Sequence, residues 1–123
     1  MSQYLVAIHF PDNLDPKFFE DPQMHREIDL LNQEMVAAGV RLFAGGLKPI
    51  VDAKSLKAKS VRAKSQEEVL LMDGPYLETK EHIGGFWILD CKSDEDALMW
   101  GRKAVVACRA NVEVRPFYEM PLG

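Results

Sequence analysis

Two segments of this chain carry complete helix-start signals, and each is bracketed by short apolar runs of strand character. Asp21 can accept hydrogen bonds from the orphan amides of a helix start, and Pro22 suits the first helical position because its missing N–H costs nothing there. Met24, Ile28, Leu31, Met35 and Ala38 follow at offsets 0, 4, 7, 11 and 14, one apolar stripe at helical period, and Gly39 supplies the stop. The second start is Ser93-Asp94-Glu95-Asp96. Ser93 caps, the acids face the positive end of the helix dipole, and Asp96 completes a capping-box-like pair. Ala97, Gly101, Ala104, Val105 and Cys108 are the expected buried side. Glycine in mid-helix costs roughly 1 kcal/mol against alanine, so close packing of Gly101 against a sheet is the expected compensation.

The strands fall around these helices. Gln3 to Phe10 is an apolar run ending at Pro11. Val40 to Leu47 is a second strand interrupted by Gly45-Gly46, a pair that predicts a bulge or a close backbone approach. Pro49 to Ser55 reads as a linker, and Lys57 to Ala63 with Val69 to Met72 as a hairpin around Lys64–Glu68. Asp73-Gly74-Pro75 is a turn, Ile83 to Cys91 a strand opened by Gly84-Gly85, and Val112 to Arg115 a strictly alternating last strand stopped by Pro116. Two strand–helix–strand units in series, with a hairpin inserted between them, predict a ferredoxin-like α+β sandwich with both helices on one face of an antiparallel sheet. The other face is then bare and carries Glu113, Arg115 and Phe117. A face mixing apolar and charged residues is rarely left in water, so a homodimer through it is expected.

At 123 residues the chain, 1–123, is one domain by length, and 47% hydrophobic with 28% charged residues excludes disordered, collagenous and disulfide-scaffold classes. No apolar run approaches the roughly 18 residues of a membrane span, and Met-Ser-Gln-Tyr lacks the basic flank of a signal peptide, so no membrane role is expected. Cys91 and Cys108 are too few for a secreted framework, which points to a reducing cytoplasm and to packing roles for both thiols. A net charge of −4 argues against general nucleic-acid binding. The charge is uneven, however. Six of the fifteen Lys and Arg fall between Lys48 and Lys64 with only Asp52 for company, whereas the residues up to Leu47 hold seven acids and three bases. The plain reading is a solvated edge hairpin that its lysines keep from aggregating; contact with phosphate or nucleic acid is the alternative.

Several chemical signatures are missing. Gly39, Gly45 and Gly46 lack phosphate-loop spacing, and His9, His25 and His82 form no ligand pair at helical or hairpin spacing, so neither a cofactor nor a metal is expected. What remains is the stretch from Asp73 to Phe86, with three acids (Asp73, Glu78 and Glu81), a lysine, a histidine and a tyrosine framed by glycines. It reads either as a turn whose Asp bonds its own backbone followed by a polar loop, or as a rigid loop presenting Asp73, Glu78, Lys80 and Glu81 to a cleft. Paired carboxylates beside a cation suit general acid–base work, because neighbours can push one pKa up and another down.

Asp73-Gly74-Pro75-Tyr76, then Glu78-Thr79-Lys80-Glu81 and Ile83-Gly84-Gly85-Phe86, resemble the signature of the YCII-related family, specifically its DGPF branch. Supporting matches run along the chain in order: Ala38-Gly39-Val40, Gly46-Leu47 with Pro49, Val61-Arg62, Asp96-Ala97-Leu98, and Val112-Glu113-Val114-Arg115-Pro116. The resemblance implies a ferredoxin-like subunit pairing as a dimeric α/β barrel, a pocket near the sheet and the DGPF loop, and no established general activity. Some relatives outside the branch carry a His–Asp pair proposed as catalytic, and some DGPF proteins are associated with extracytoplasmic-function sigma factors. The sequence departs in two ways. Tyr76 stands where the branch has Phe, and no counterpart of the His–Asp pair is evident, His25 and Asp29 being an i, i+4 helical pair.

Two functional classes follow. In the first, a dimer holds a small-molecule pocket: Asp73 and Glu81 are the acid–base candidates, Arg115 and Arg62 the anchors for a small anionic ligand, Tyr76 an orienting hydroxyl, and Glu113 the neighbour of Arg115 on one strand face. In the second, the chain is a non-catalytic module acting through a protein partner such as a sigma factor. A catalyst needs a carboxylate of shifted pKa in a partly dry cleft; a binding module needs an apolar patch left over once the dimer forms.

Overall fold

A computed structural model of the chain describes residues 2–60 and 62–119. Strand β1 (Ser2–Pro11) leads through a 3₁₀ turn to helix α1 (Pro22–Ala37) and strand β2 (Arg41–Gly46). A hairpin of β3 (Lys54–Ala58) and β4 (Val69–Asp73) follows, then β5 (Glu81–Cys91), α2 (Asp94–Cys108) and β6 (Asn111–Pro116). The main sheet has the order β2-β5-β1-β6 with every neighbour antiparallel, and β3 and β4 pair with each other in a separate two-stranded sheet. This is the ferredoxin-like α+β arrangement that the element order predicts.

The helix starts form as their side chains dictate. Asp21 accepts from the Gln23 amide at 2.9 Å and Ser93 from the Asp96 amide at 3.1 Å, each satisfying an orphan donor. Gly39 ends the first helix in the left-handed region at φ +72°. From α1, Leu31 and Met35 reach the core; from α2, Ala97, Trp100, Ala104 and Cys108 do so. They meet one face of the sheet, where the alternation of β1 and β5 presents Tyr4, Val6 and Ile8 beside Trp87, Leu89 and Cys91. Val105 departs from expectation. It is 41% exposed, while Trp100 and Ala107 are buried in its stead, because α2 turns its Ala97–Ala104–Ala107 side to the sheet. The close approach expected at Gly101 is present: a Cβ there would lie 2.7 Å from Val114 Cγ2 on β6. Tyr4 also donates its hydroxyl to Asp94, tying β1 to the first turn of α2 and holding the phenol up at about 12.

The opposite face of the sheet lies bare in the protomer. Register places Leu5 beside Ile88 and Arg115, and Ala7 beside Phe86 and Glu113. Phe43 stacks on Phe86 with ring centroids 5.5 Å apart and remains half exposed. The hairpin differs from expectation at its boundaries. Its first strand begins at Lys54, three residues before Lys57, and ends at Ala58. Val61, within the strand expected over Lys57–Ala63, lies outside the described residues.

Candidate functional site

Four glycines open a space between α1 and the sheet. Gly45-Gly46 at the end of β2 lie beside Gly84-Gly85 of β5, with Gly46 opposite Gly85. The approach is close enough that a Cβ on Gly85 would sit 2.9 Å from the Gly45 carbonyl oxygen, and one on Gly84 would run into the Phe10 ring. Without side chains on this stretch, the sheet floors a cavity of about 900 Å3. Met24, Ile28 and Asn32 of α1 form one wall, and Phe10 with Phe19 another. Phe10, Phe18 and Phe19 pack edge-to-face at 5.0 to 6.0 Å, which fixes the 3₁₀ turn Pro16–Glu20 against the end of β1. Leu47, Lys48, Pro49 and Ile50 make the rim, held to the sheet by a 2.9 Å bond from the Leu47 amide to the Gly84 carbonyl.

Two polar groups stand on these apolar walls. At the mouth, the antiparallel register sets Phe10 opposite His82, so Asp12, just past the end of β1, meets His82 at the start of β5. His82 Nδ1 bonds the Asp12 carboxylate, and Nε2 donates to the Leu77 carbonyl at 2.9 Å, with Thr79 Oγ1 3.3 Å away. Asp12 in turn donates its amide to the Lys80 carbonyl at 2.9 Å. Since Asp12 and Leu77 both present acceptors, both ring nitrogens carry protons and the imidazolium is favoured. The His82 pKa is accordingly raised above its ordinary 6.5, first by the Leu77 carbonyl and then by Asp12, against a smaller opposing effect of burial.

Deeper in, Asn32 Oδ1 accepts from Trp87 Nε1 at 2.9 Å and from Arg41 Nη1 at 3.1 Å, while its Nδ2 donates to the Ile28 carbonyl at 3.1 Å. Arg41 therefore stands oriented at that end with donors to spare. It pairs with Leu89, seven residues along β5 from His82, a backbone separation of about 23 Å at ~3.3 Å per residue.

The residues expected to form the site lie elsewhere. Asp73 ends β4 directly opposite Lys54, with which it is paired, and its side chain is 84% exposed. Tyr76 is exposed, its ring centroid 4.9 Å from Lys57 Nζ. Arg62 is exposed in the hairpin's connecting loop. Glu81 accepts from Asn111 Nδ2 at 3.4 Å. Arg115 Nη2 grips both oxygens of Glu113 at 2.9 and 3.1 Å on the bare sheet face. None of these six lines the cavity. The hairpin is a sheet of its own, and Asp73, Arg62 and the Tyr76 turn belong to it or to its root, not to the main sheet that floors the cavity.

His82 and Asp12 went unpaired in the sequence because 70 residues separate them. A signal was available nonetheless. In a ferredoxin-like sheet the first and third main strands are antiparallel neighbours, so the residues after Phe10 must meet those before Ile83. Among the described residues, no group of three or more His, Cys, Asp or Glu is placed to hold a metal ion.

A family model of the YCII-related domain matches residues 24–121. An uncharacterised protein of Rhizobium meliloti strain 1021 is 33% identical over 99 residues, covering 79% of this chain and 75% of that protein.

Proposed function

The chain belongs to the YCII-related family, and from that premise we propose that it binds a small molecule with an apolar body and one anionic group in the α1–sheet cavity. His82 would then serve as a general acid held by Asp12. Within the family, the Asp73-Gly74-Pro75-Tyr76 stretch supports reading it as a member of the DGPF branch. The observation that carries the reading is the His82–Asp12 pair on the wall of a mostly apolar cavity of about 900 Å3, a volume suited to one small ligand. Position decides where the chemistry sits. Arg41 is held at the far end by Asn32, whereas the Leu47 amide bonds Gly84, two residues from His82, so the anchor for an anion near His82 is Lys48, on the adjoining rim. The proton available there is the one on Nε2, which a ligand oxygen can take over from the Leu77 carbonyl. Asp73 and Glu81, outside the cavity, have no part in this assignment. The working unit is a homodimer joined through the bare sheet face, where Phe43, Phe86 and Ile88 gather.

The test is a thermal-shift screen of the purified protein against small carboxylates and phosphates with aliphatic or aromatic bodies. A ligand at about 100 times its Kd stabilises by roughly 2.7 kcal/mol, a rise of several degrees for a domain of this size. The shift should shrink in Lys48→Met. Compounds that bind are then followed by NMR for turnover. Turnover unchanged in His82→Gln would remove the acid assignment and leave the binding one. A screen without any hit would favour a non-catalytic module with a protein partner such as a sigma factor.

A further inference from the structure

The β3–β4 hairpin is a well-built arm whose root is covered at Ser55 and whose leucines are not. Its strands pair over five residues each, its root is tied by the Gly74 amide to the Ala53 carbonyl at 2.8 Å and by Ser55 Oγ to the Gly74 carbonyl at 2.7 Å, and its outer end by Lys59 N to the Glu68 carbonyl at 2.8 Å. Leu56 and Leu71 stand directly opposite each other on one face, 66% and 67% exposed. Leu70 and Met72, on the other face, are also exposed, as are Tyr76 and Leu77 just beyond the root. A two-stranded hairpin is marginal in water without a surface to pack on. Side chains of this kind, ordered by the ladder and left uncovered, mark an interface.

The surface area agrees with an uncovered arm. A compact monomer of 13.9 kDa exposes about 6700 Å2. This protomer exposes 9220 Å2, an excess of about 2500 Å2. A standard interface removes about 800 Å2 per partner, and extensive obligate dimers remove between about 1000 and 2500 Å2. The excess marks a protomer less compact than a monomer of its mass, with surface enough for an extensive interface. Charge favours the chain's own kind as partner. The arm Lys54–Asp73 holds five bases against three acids, whereas the rest of this chain, with a total of −4, nets −6.

We propose that the β3–β4 hairpin is an intersubunit arm that lays its Leu56–Leu71 pair against a second copy of this chain. The inference rests on the dimer reading above and extends it: the sheet face joins the two copies and the arm embraces the partner. One root of the arm leads from the cavity rim at Lys48–Ile50, and the other leads into the Leu77–Lys80 stretch, which His82 and Asp12 of the cavity mouth hold. Docking of the arm on a second copy thus fixes the two rims between which a ligand enters.

The test uses sedimentation velocity of the full chain over a range of concentrations, with two variants. Leu56→Glu/Leu71→Glu alters only side chains that are two-thirds exposed in the protomer, so its circular dichroism should match wild type. Its dimer should be weaker by roughly a hundredfold, about tenfold per leucine lost from an interface. Phe43→Glu disrupts the sheet face instead. A second readout is alkylation of an introduced thiol in Leu71→Cys, which both native cysteines, being buried, leave uncomplicated. Protection of that thiol in the dimer, relieved when Phe43→Glu is added, supports the arm. A dimer that Phe43→Glu splits while the arm variant leaves it intact and the thiol at 71 reacts freely overturns the arm and keeps the dimer. A wild-type chain that sediments as a monomer throughout overturns both.

Discussion

His82 and Asp12 join the start of β5 to the end of β1 across 70 residues of sequence, and the same imidazole also holds the Leu77 carbonyl. One ring thus fastens the loop after the hairpin to the sheet at the cavity mouth. The fastening needs a proton on each nitrogen, because both partners are acceptors. A neutral imidazole must surrender one of the two bonds.

That requirement gives a pH dependence of definite sign. The folded-state pKa of His82 is raised above 6.5, so its stabilising contribution is complete below about pH 6.5 and is lost as pH rises through the folded value. Thermal melts of wild type should fall relative to His82→Gln across that window and run parallel to it on the acid side down to about pH 5.5. NMR titration of the imidazole Cε1–H locates the folded pKa directly. A wild type and variant whose difference is flat from acid to alkaline would show that the imidazolium holds nothing.

The cavity floor offers a variant that separates ligand binding from folding. Gly46 faces the cavity, its φ lies outside the left-handed region, and a Cβ placed there meets nothing within 4 Å. Gly46→Leu should fill the space with stability unchanged to within about 0.5 kcal/mol, while any ligand-induced thermal shift disappears. Gly85→Ala, one ladder position across, is the contrast. Its Cβ would press on the Gly45 carbonyl at 2.9 Å, so urea unfolding should show a loss of about 1–3 kcal/mol.

The frame was legible in the chain because its signals are local. Asp21-Pro22, the Met24–Met35 stripe and Gly39 each act within a few residues, and the helix they specify spans Pro22–Ala37. Gly101 was legible for the same reason: a glycine amid helix formers implies a neighbour too close for a methyl, and Val114 is that neighbour. The candidate site was not, because it is made by pairing. Asp12 sits in a loop and His82 beside a turn; only the β1–β5 register brings them together. The charged stretch around Asp73 is the stronger local signal, yet Asp73 is spent on Lys54 across the hairpin ladder. Val105 failed on a finer scale, since a helix stripe drawn from Ala97 can turn either way by one residue, and the bulk of Trp100 decides it.

Both thiols should be inert in the folded protein. Burial pushes Cys91 and Cys108 up to about 11 each, and both side chains are buried, Cys108 where α2 meets the cavity. At about pH 8 roughly one thiol in a thousand is then ionised, against a sizeable fraction for a free cysteine. A thiol-specific chromogenic reagent should therefore label neither residue of the native chain and both on addition of denaturant. Labelling in between should follow the rate of unfolding. Rapid native reaction at either cysteine would mean that the sheet–α2 packing opens without unfolding.

The contact between Gly101 and Val114 can be measured as a coupling. Alanine at position 101 gains roughly 1 kcal/mol of helix propensity, but its methyl would lie 2.7 Å from Val114 Cγ2. Valine is stiff at χ1, and β6 is anchored to β1 over six residue pairs, so neither side yields freely. Overpacking of this kind costs about 1–3 kcal/mol, which outweighs the propensity gain and makes Gly101→Ala a net loss of about 1 kcal/mol. Val114→Ala loses a half-buried pair of methyls on its own and relieves the clash in combination. The double variant should therefore be more stable than the sum of the two single losses, by about 1–2 kcal/mol in urea unfolding. Strict additivity would mean that α2 stands off the sheet by more than the structure has it.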